Sequence, residues 1–145
     1  DEEVSRGLGD VYKRQDLNTV ILPVRGYGLW GILYGYLAIS NDLNTIVGLE
    51  FYEHKETPGL GAEIDNPAWK ALWNGKKLFD EEGNLLIKVI KGKVTVNEAN
   101  SNYKVDGLSG ATLTSNGVTN LLAFWLGELG YLKFLSNLKE EVSNV

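Results

Sequence analysis

Cysteine and methionine are both absent from this 145-residue chain, and histidine occurs once. The first absence removes disulfides, thiolate metal sites, cysteine nucleophiles and cysteine-ligated iron–sulfur clusters. A single histidine removes any multi-histidine metal centre, so no metal site is expected. Methionine is missing even at position 1, so a fragment or a processed form is expected. Long apolar runs are lacking too. The strongest stretch, Leu29 to Ile39, is interrupted by Gly31 and Gly35 and falls short of the roughly 20 residues a membrane-spanning helix needs. Any membrane anchor is therefore expected upstream of residue 1. Positive charge is also in deficit, with 14 Lys and Arg against 19 Asp and Glu. That balance argues against a nucleic-acid partner and against a polybasic membrane-surface module.

What remains is enough for one folded domain with a core. Residues 1–15 (DEEVSRGLGDVYKRQ) lack apolar periodicity and are expected to be a non-native or disordered leader, leaving residues 16–145 as the domain. Thr19–Val24 is β-branched, and Pro23 marks an edge or a strand end. Ile32–Ile39 and Thr45–Glu53 flank the turn formers Ser40–Asn44, which predicts a hairpin. Leu85–Ile90 and Lys93–Val96 flank Lys91-Gly92 and predict a second. Pro67–Trp73 reads as a short helix capped by Asn66. Val118, Leu121, Leu122, Trp125, Leu126 and Leu129 fall on one helical face, with Ser115 or Asn116 as cap. Phe134, Leu135 and Leu138 are expected to form a last turn. The expected class is α+β, with antiparallel hairpins and sheets packed against a short helix and a long C-terminal helix.

Gly26-Tyr27-Gly28-Leu29-Trp30-Gly31 matches the G-x-G-x-x-G dinucleotide fingerprint. That fingerprint requires a strand before it and a helix after it. Here a glycine-punctuated, aromatic, β-like segment follows, so the glycines are read as permitting tight turns, and no NADH site is expected.

The segment that carries chemistry is Asp106-Gly107-Leu108-Ser109-Gly110-Ala111-Thr112-Leu113-Thr114-Ser115. It is a loop of small residues running into the last helix. Amides at a helix start are unsatisfied and attract phosphate, while Ser109, Thr112, Thr114 and Ser115 add hydroxyls. On the residues alone, an ordinary capping sequence is the simpler reading. Upstream, Glu56-Thr57-Pro58-Gly59-Leu60-Gly61 has a turn at Pro58-Gly59, room for a flat ligand, and an apolar contact in Leu60. Glu56 and Thr57 offer polar groups. Alone it also reads as a plain surface turn.

The D-x-x-S-G-A-T pattern over Asp106–Thr112 resembles the acceptor motif of the FMN-binding domain family. In that family a dedicated flavin transferase esterifies the motif's last threonine with the FMN phosphate. The resemblance implies one FMN held covalently on Thr112, with Asp106, Ser109, Gly110 and Ala111 serving transferase recognition and loop geometry, Thr114 and Ser115 extending the motif, and Leu113 and Thr114 among the cofactor-binding residues. ETPGLG resembles the same family's loop beside the flavin ring. The blocks GYGLWGILYGYLAI, DNPAWK and LLAFWLGELGYL are most similar to the C subunits of sodium-translocating NADH:quinone oxidoreductases. Rnf-complex G subunits share the ETPGLG and SGAT elements, while the GLW-G-x3-GYLA block and DNPAWK fit the C subunits better.

Membership would imply an electron carrier without a substrate site or catalytic residues of its own. It would take electrons from an iron–sulfur centre in the membrane subunits and pass them to a flavin of the neighbouring B subunit. The domain would sit on the periplasmic face of the inner membrane, joined to it through an N-terminal helix. Among the remaining candidates, Trp30 could stack on the ring, Glu56 could tune it, and His54 reads more simply as a hydrogen-bonding residue of a turn. The alternatives are an Rnf-type or stand-alone flavinylated carrier, and a non-redox domain binding an anion or other ligand.

Overall fold

A computed structural model describes residues 19–143, so the leader expected over residues 1–15 lies outside the described residues. Three β-branched and aromatic runs form strands β1 (Thr19–Tyr27), β2 (Ile32–Ser40) and β3 (Ile46–Glu53). They pair antiparallel in the order β1-β2-β3. Period-two alternation sends Val20, Leu22 and Val24, then Leu33, Leu37 and Ile39, then Leu49 and Phe51 into the core, and a register shift between Gly48 and Ile46 brings Ile46 in as well. The β2–β3 turn is built on Asp42, whose carboxylate accepts from the amides of Asn44 and Thr45. Pro23 lies on the edge strand, as its missing amide requires.

The short helix α1 (Pro67–Ala71) starts where expected. Asn66 accepts from the Ala68 amide at 2.8 Å and proline occupies the first turn. Trp69 and Trp73 pack edge to face beneath it, both buried.

The expected second hairpin does not form. Lys88–Val89 (β4) pairs in parallel with Lys104–Val105 (β5) instead. Side-chain carboxylates take the amides that a hairpin ladder would have used: Val94 donates to Asp106, and Thr95 donates to Glu98. Val96 is 86% exposed, so the valine alternation had no apolar surface to face.

The long helix α2 (Thr112–Trp125) starts at Thr112, ahead of the predicted Ser115 or Asn116 cap, and its N-cap, Ala111, offers no side-chain bond. It packs on β1, with Val118, Leu121 and Leu122 buried. Leu129 is 83% exposed and lies beyond the helix. The expected last turn is a full helix, α3 (Leu132–Ser143), whose Leu135 and Leu138 are buried. The α+β class stands, with one parallel pair added to the antiparallel sheet.

Candidate functional site

The chain enters α2 through a turn closed by the Ala111 amide on the Leu108 carbonyl, 3.0 Å. Ser115 Oγ accepts from the Leu108 amide at 3.1 Å, so it braces this turn and does not cap the helix. Without a side-chain cap, the first amides of α2 are open to solvent or to an anion. Thr112 is the first helical residue and is exposed, as are Ser109 and Gly110 just before it; Ala111 is buried. Leu113 is 58% exposed. Thr114 has the opposite fate. It is 1% exposed and its hydroxyl donates to Glu56 Oε1 at 2.6 Å. One threonine hydroxyl is available; the other is committed to the protein.

Glu56 is the hub of one side of this site. Its buried carboxylate also accepts from the amides of Leu29 at 2.8 Å and Trp30 at 3.0 Å. Burial alone would push this carboxyl up. The hydrogen bonds from Thr114, Leu29 and Trp30 outweigh it and hold the group below its ordinary value. Gly28 makes the arrangement possible, since a β-carbon there would fall 2.6 Å from Glu56 Oε1. The glycine pattern at 26–31 thus belongs to an antiparallel strand pair and a carboxylate clasp, with no strand–turn–helix dinucleotide geometry.

The ETPGLG loop turns at Pro58-Gly59. The Leu60 amide donates to the Thr57 carbonyl at 3.0 Å and Gly59 has φ 81°, which fits a type II turn. Thr57, Pro58 and Gly59 are exposed. Leu60 reaches across to the SGAT loop, its Cδ2 lying 3.0 Å from where a β-carbon on Gly110 would be. The two motifs therefore adjoin, although about fifty residues separate them in sequence.

Of the four tryptophans, only Trp30 is open, at 66% exposure. Trp69 donates its indole N–H to the Asp106 carbonyl, Trp125 donates to the Arg25 carbonyl, and Trp73 is fully buried. Exposed Leu29, Trp30, Leu60 and Leu113 supply apolar surface on the segments around Thr112. His54 is occupied at both nitrogens. The Glu56 amide donates to Nδ1 at 3.1 Å, so Nε2 carries the ring proton and donates to Asp65 at 2.6 Å. That is a structural histidine.

On the other side of Thr112 lies a groove of about 390 Å³ whose walls include Lys91, Lys93, Ser109, Gly110, Thr112 and Asn116. Asp106 does not line it. Its carboxylate accepts from the Val94 amide at 2.8 Å and ties down the lysine-bearing loop. Sequence reasoning misses Lys91, Lys93 and Asn116, because it places Lys91 in a hairpin turn, Lys93 at the start of the strand that follows and the asparagine in a cap. The available signal is two lysines bracketing a glycine in an acidic chain. Among the described residues no acidic or histidine cluster could hold a metal, and no helix is long and apolar enough to cross a membrane.

Comparison with known proteins matches residues 28–127 to the FMN-binding domain family. The chain is 60% identical over 124 residues to the C subunit of the Na(+)-translocating NADH-quinone reductase of Pseudomonas aeruginosa, covering 86% of this chain and 48% of that protein. The corresponding Vibrio parahaemolyticus protein is 50% identical over 125 residues, with 86% and 47% covered. The crystal structure of Shewanella oneidensis NqrC superposes with a TM-score of 0.78 at 43% identity, covering 84% of this chain and 55% of that one. The crystal structure of the Parabacteroides distasonis counterpart gives 0.71 at 40% identity, covering 86% and 60%. The chain spans about half the length of the sequence relatives.

Proposed function

The chain belongs to the FMN-binding domain family, and we propose that it carries one FMN as a phosphoester on Thr112 and serves as an electron-transfer domain of a sodium-translocating NADH:quinone reductase. The observation that carries this reading is the contrast between two neighbouring threonines. Thr112 offers an exposed hydroxyl at an uncapped helix start, whereas Thr114 is buried and bonded to Glu56. The surrounding donor set fits FMN: open amides and a lysine-bearing groove suit its phosphate, and exposed Trp30, Leu60 and Leu113 suit a flat ring.

Bound FMN supplies redox chemistry that can proceed one electron at a time. The protein's part is attachment, position and access. Thr112 Oγ forms the new O–P bond as a P–O–P bond of an activated flavin dinucleotide donor breaks. A nucleoside monophosphate leaves, and the hydroxyl proton passes to a base of the flavin transferase. Glu56 fixes the backbone of Leu29 and Trp30, and so the apolar surface against which a ring would lie. That surface is open, which suits exchange with partner proteins rather than turnover of a small substrate. By similarity to the NqrC relatives, the partners are the membrane subunits of the complex, among them an iron–sulfur donor and a flavin-bearing B subunit. The domain would face the periplasm. The extent of the similarity, 124 residues at 60% identity, favours this host over an Rnf-type complex.

The test is co-expression with a periplasmic flavin transferase, followed by intact mass and in-gel flavin fluorescence. The expected gain is one FMN minus water on the peptide bearing Thr112, abolished in a folded Thr112→Ala variant. Flavin retained on that variant overturns the assignment. A folded wild-type domain left unmodified by a transferase active on another substrate points to the non-redox alternative.

A further inference from the structure

The groove behind Thr112 has a cationic rim that the acceptor motif does not account for. Lys91 and Lys93 flank Gly92, both side chains are exposed, and both residues line the groove together with Thr112. The ion pairs formed among the described residues are His54–Asp65, Lys70–Glu50 and Lys104–Glu98. Neither Lys91 nor Lys93 has a carboxylate partner among them. Among the described residues, two cations without a carboxylate partner in the groove that Thr112 lines are notable in a chain of net charge −5.

The loop that bears them is fastened to the acceptor motif at several points. The Ile90 amide donates to the Val105 carbonyl at 2.9 Å, and the Gly107 amide donates to the Gly92 carbonyl at 2.8 Å. The Val94 amide donates to the Asp106 carboxylate at 2.8 Å. Contact at Gly107 is so close that a β-carbon there would fall 2.2 Å from the Ile90 carbonyl oxygen. The first residues of the D-x-x-S-G-A-T motif therefore hold a lysine loop against the groove that its last residue enters.

We propose that the Lys91-Gly92-Lys93 loop is the phosphate-holding wall of the acceptor site. Both lysines are positioning residues, directing ammonium groups at the anionic oxygens of the phosphoester on Thr112 and of the incoming donor. The proposal rests on the reading that Thr112 carries FMN. A phosphodiester keeps one negative charge, and an arriving pyrophosphate carries more. Ammonium groups on flexible stems can follow either one.

The experiment compares wild type, Lys91→Gln/Lys93→Gln and Lys91→Arg/Lys93→Arg, each purified without flavin and then treated with active transferase. Both lysines are exposed, so the variants are expected to keep the wild-type circular dichroism spectrum and Tm. The Gln pair is expected to load about tenfold more slowly, with a weaker dependence on salt, and the Arg pair at close to the wild-type rate. Phosphorus NMR of the fully loaded proteins separates a phosphate contact from a transferase-docking effect. The expected result is a phosphoester resonance displaced in the Gln pair and restored towards wild type in the Arg pair. An unchanged resonance in the Gln pair overturns the proposal even if loading slows, and unchanged loading overturns it too. Failure of the Thr112 reading looks different, because wild type then takes no FMN or Thr112→Ala still takes it, and the proposal falls with that reading.

Discussion

The acceptor segment around Thr112 meets two walls of opposite construction. One is made by residues 28–31 and 56–60, drawn together around the buried carboxylate of Glu56, which accepts from Leu29, Trp30 and Thr114. The other is made by residues 90–94 and 106–110. Its carboxylate, Asp106, is only partly buried and accepts from a single backbone amide, that of Val94. In the first wall the charge is used up inside the protein, and the surface left outside is apolar. In the second neither lysine forms an ion pair among the described residues, so the charge stays available in the groove. The first is built to hold a shape and the second to hold an ion. A ligand with a flat ring at one end and a phosphate at the other matches that division.

The largest effect on the comparison is expected from Glu56→Ala. It strands two amides and a buried hydroxyl, each bonded to a charged acceptor, and should cost about 3 kcal/mol in urea unfolding. FMN should still attach to Thr112, but its absorption spectrum or reduction potential should change as Trp30 loses its anchor. An unchanged spectrum and potential would detach the first wall from the flavin. The same carboxylate gives a pH signature. Its folded-state pKa is lowered from the ordinary value of 4.5, so its contribution is complete above that value and is lost as pH falls through the lower one. Urea midpoints between about pH 7 and about pH 3 should fall less steeply in Glu56→Gln than in wild type.

The first wall is more legible in the sequence than the second, for a physical reason. Pro58-Gly59 specifies its turn locally, and the Ser40–Asn44 cluster specifies the β2–β3 hairpin in the same way. The sheet can be read from alternation because one of its faces is buried. The pairing of β4 with β5 cannot, since two residues on each strand carry no period. The start of α2 misleads because Ser115 resembles a cap while its hydroxyl serves the Leu108 amide. The lysine loop is hidden by the same kind of long-range bond. Nothing local says that Val94 will be held by Asp106, twelve residues on, and not by a hairpin partner. Gly28 stands in a motif it does not serve, because the Glu56 carboxylate that needs its missing side chain comes from a distant loop.

A smaller effect is expected from Thr114→Val, which keeps the buried volume and removes one donor to Glu56. About 1–2 kcal/mol should be lost, with the flavin still attached to Thr112. Mass spectrometry of the loaded variant checks the second part. Loss of flavin in a folded Thr114→Val would mean that the first wall controls attachment as well as ring position.

The smallest effect on stability belongs to Asp106→Ala, which removes one bond to a partly buried amide and should cost about 1 kcal/mol. Its interest is kinetic. If Asp106 acts by holding the lysine loop, the variant should load FMN several-fold more slowly, yet faster than the double Lys→Gln variant, because its ammonium groups remain nearby. Hydrogen exchange at Val94 rises in either case, since its acceptor is gone; if the loop is released, exchange at its other anchors, the Ile90 and Gly107 amides, should rise as well. If Asp106 is instead read directly by the transferase, loading should collapse below the rate of the lysine double variant while the Ile90 and Gly107 amides exchange as in wild type. The two walls would then differ in a further respect, with one seen only by the flavin and the other also by the enzyme that attaches it.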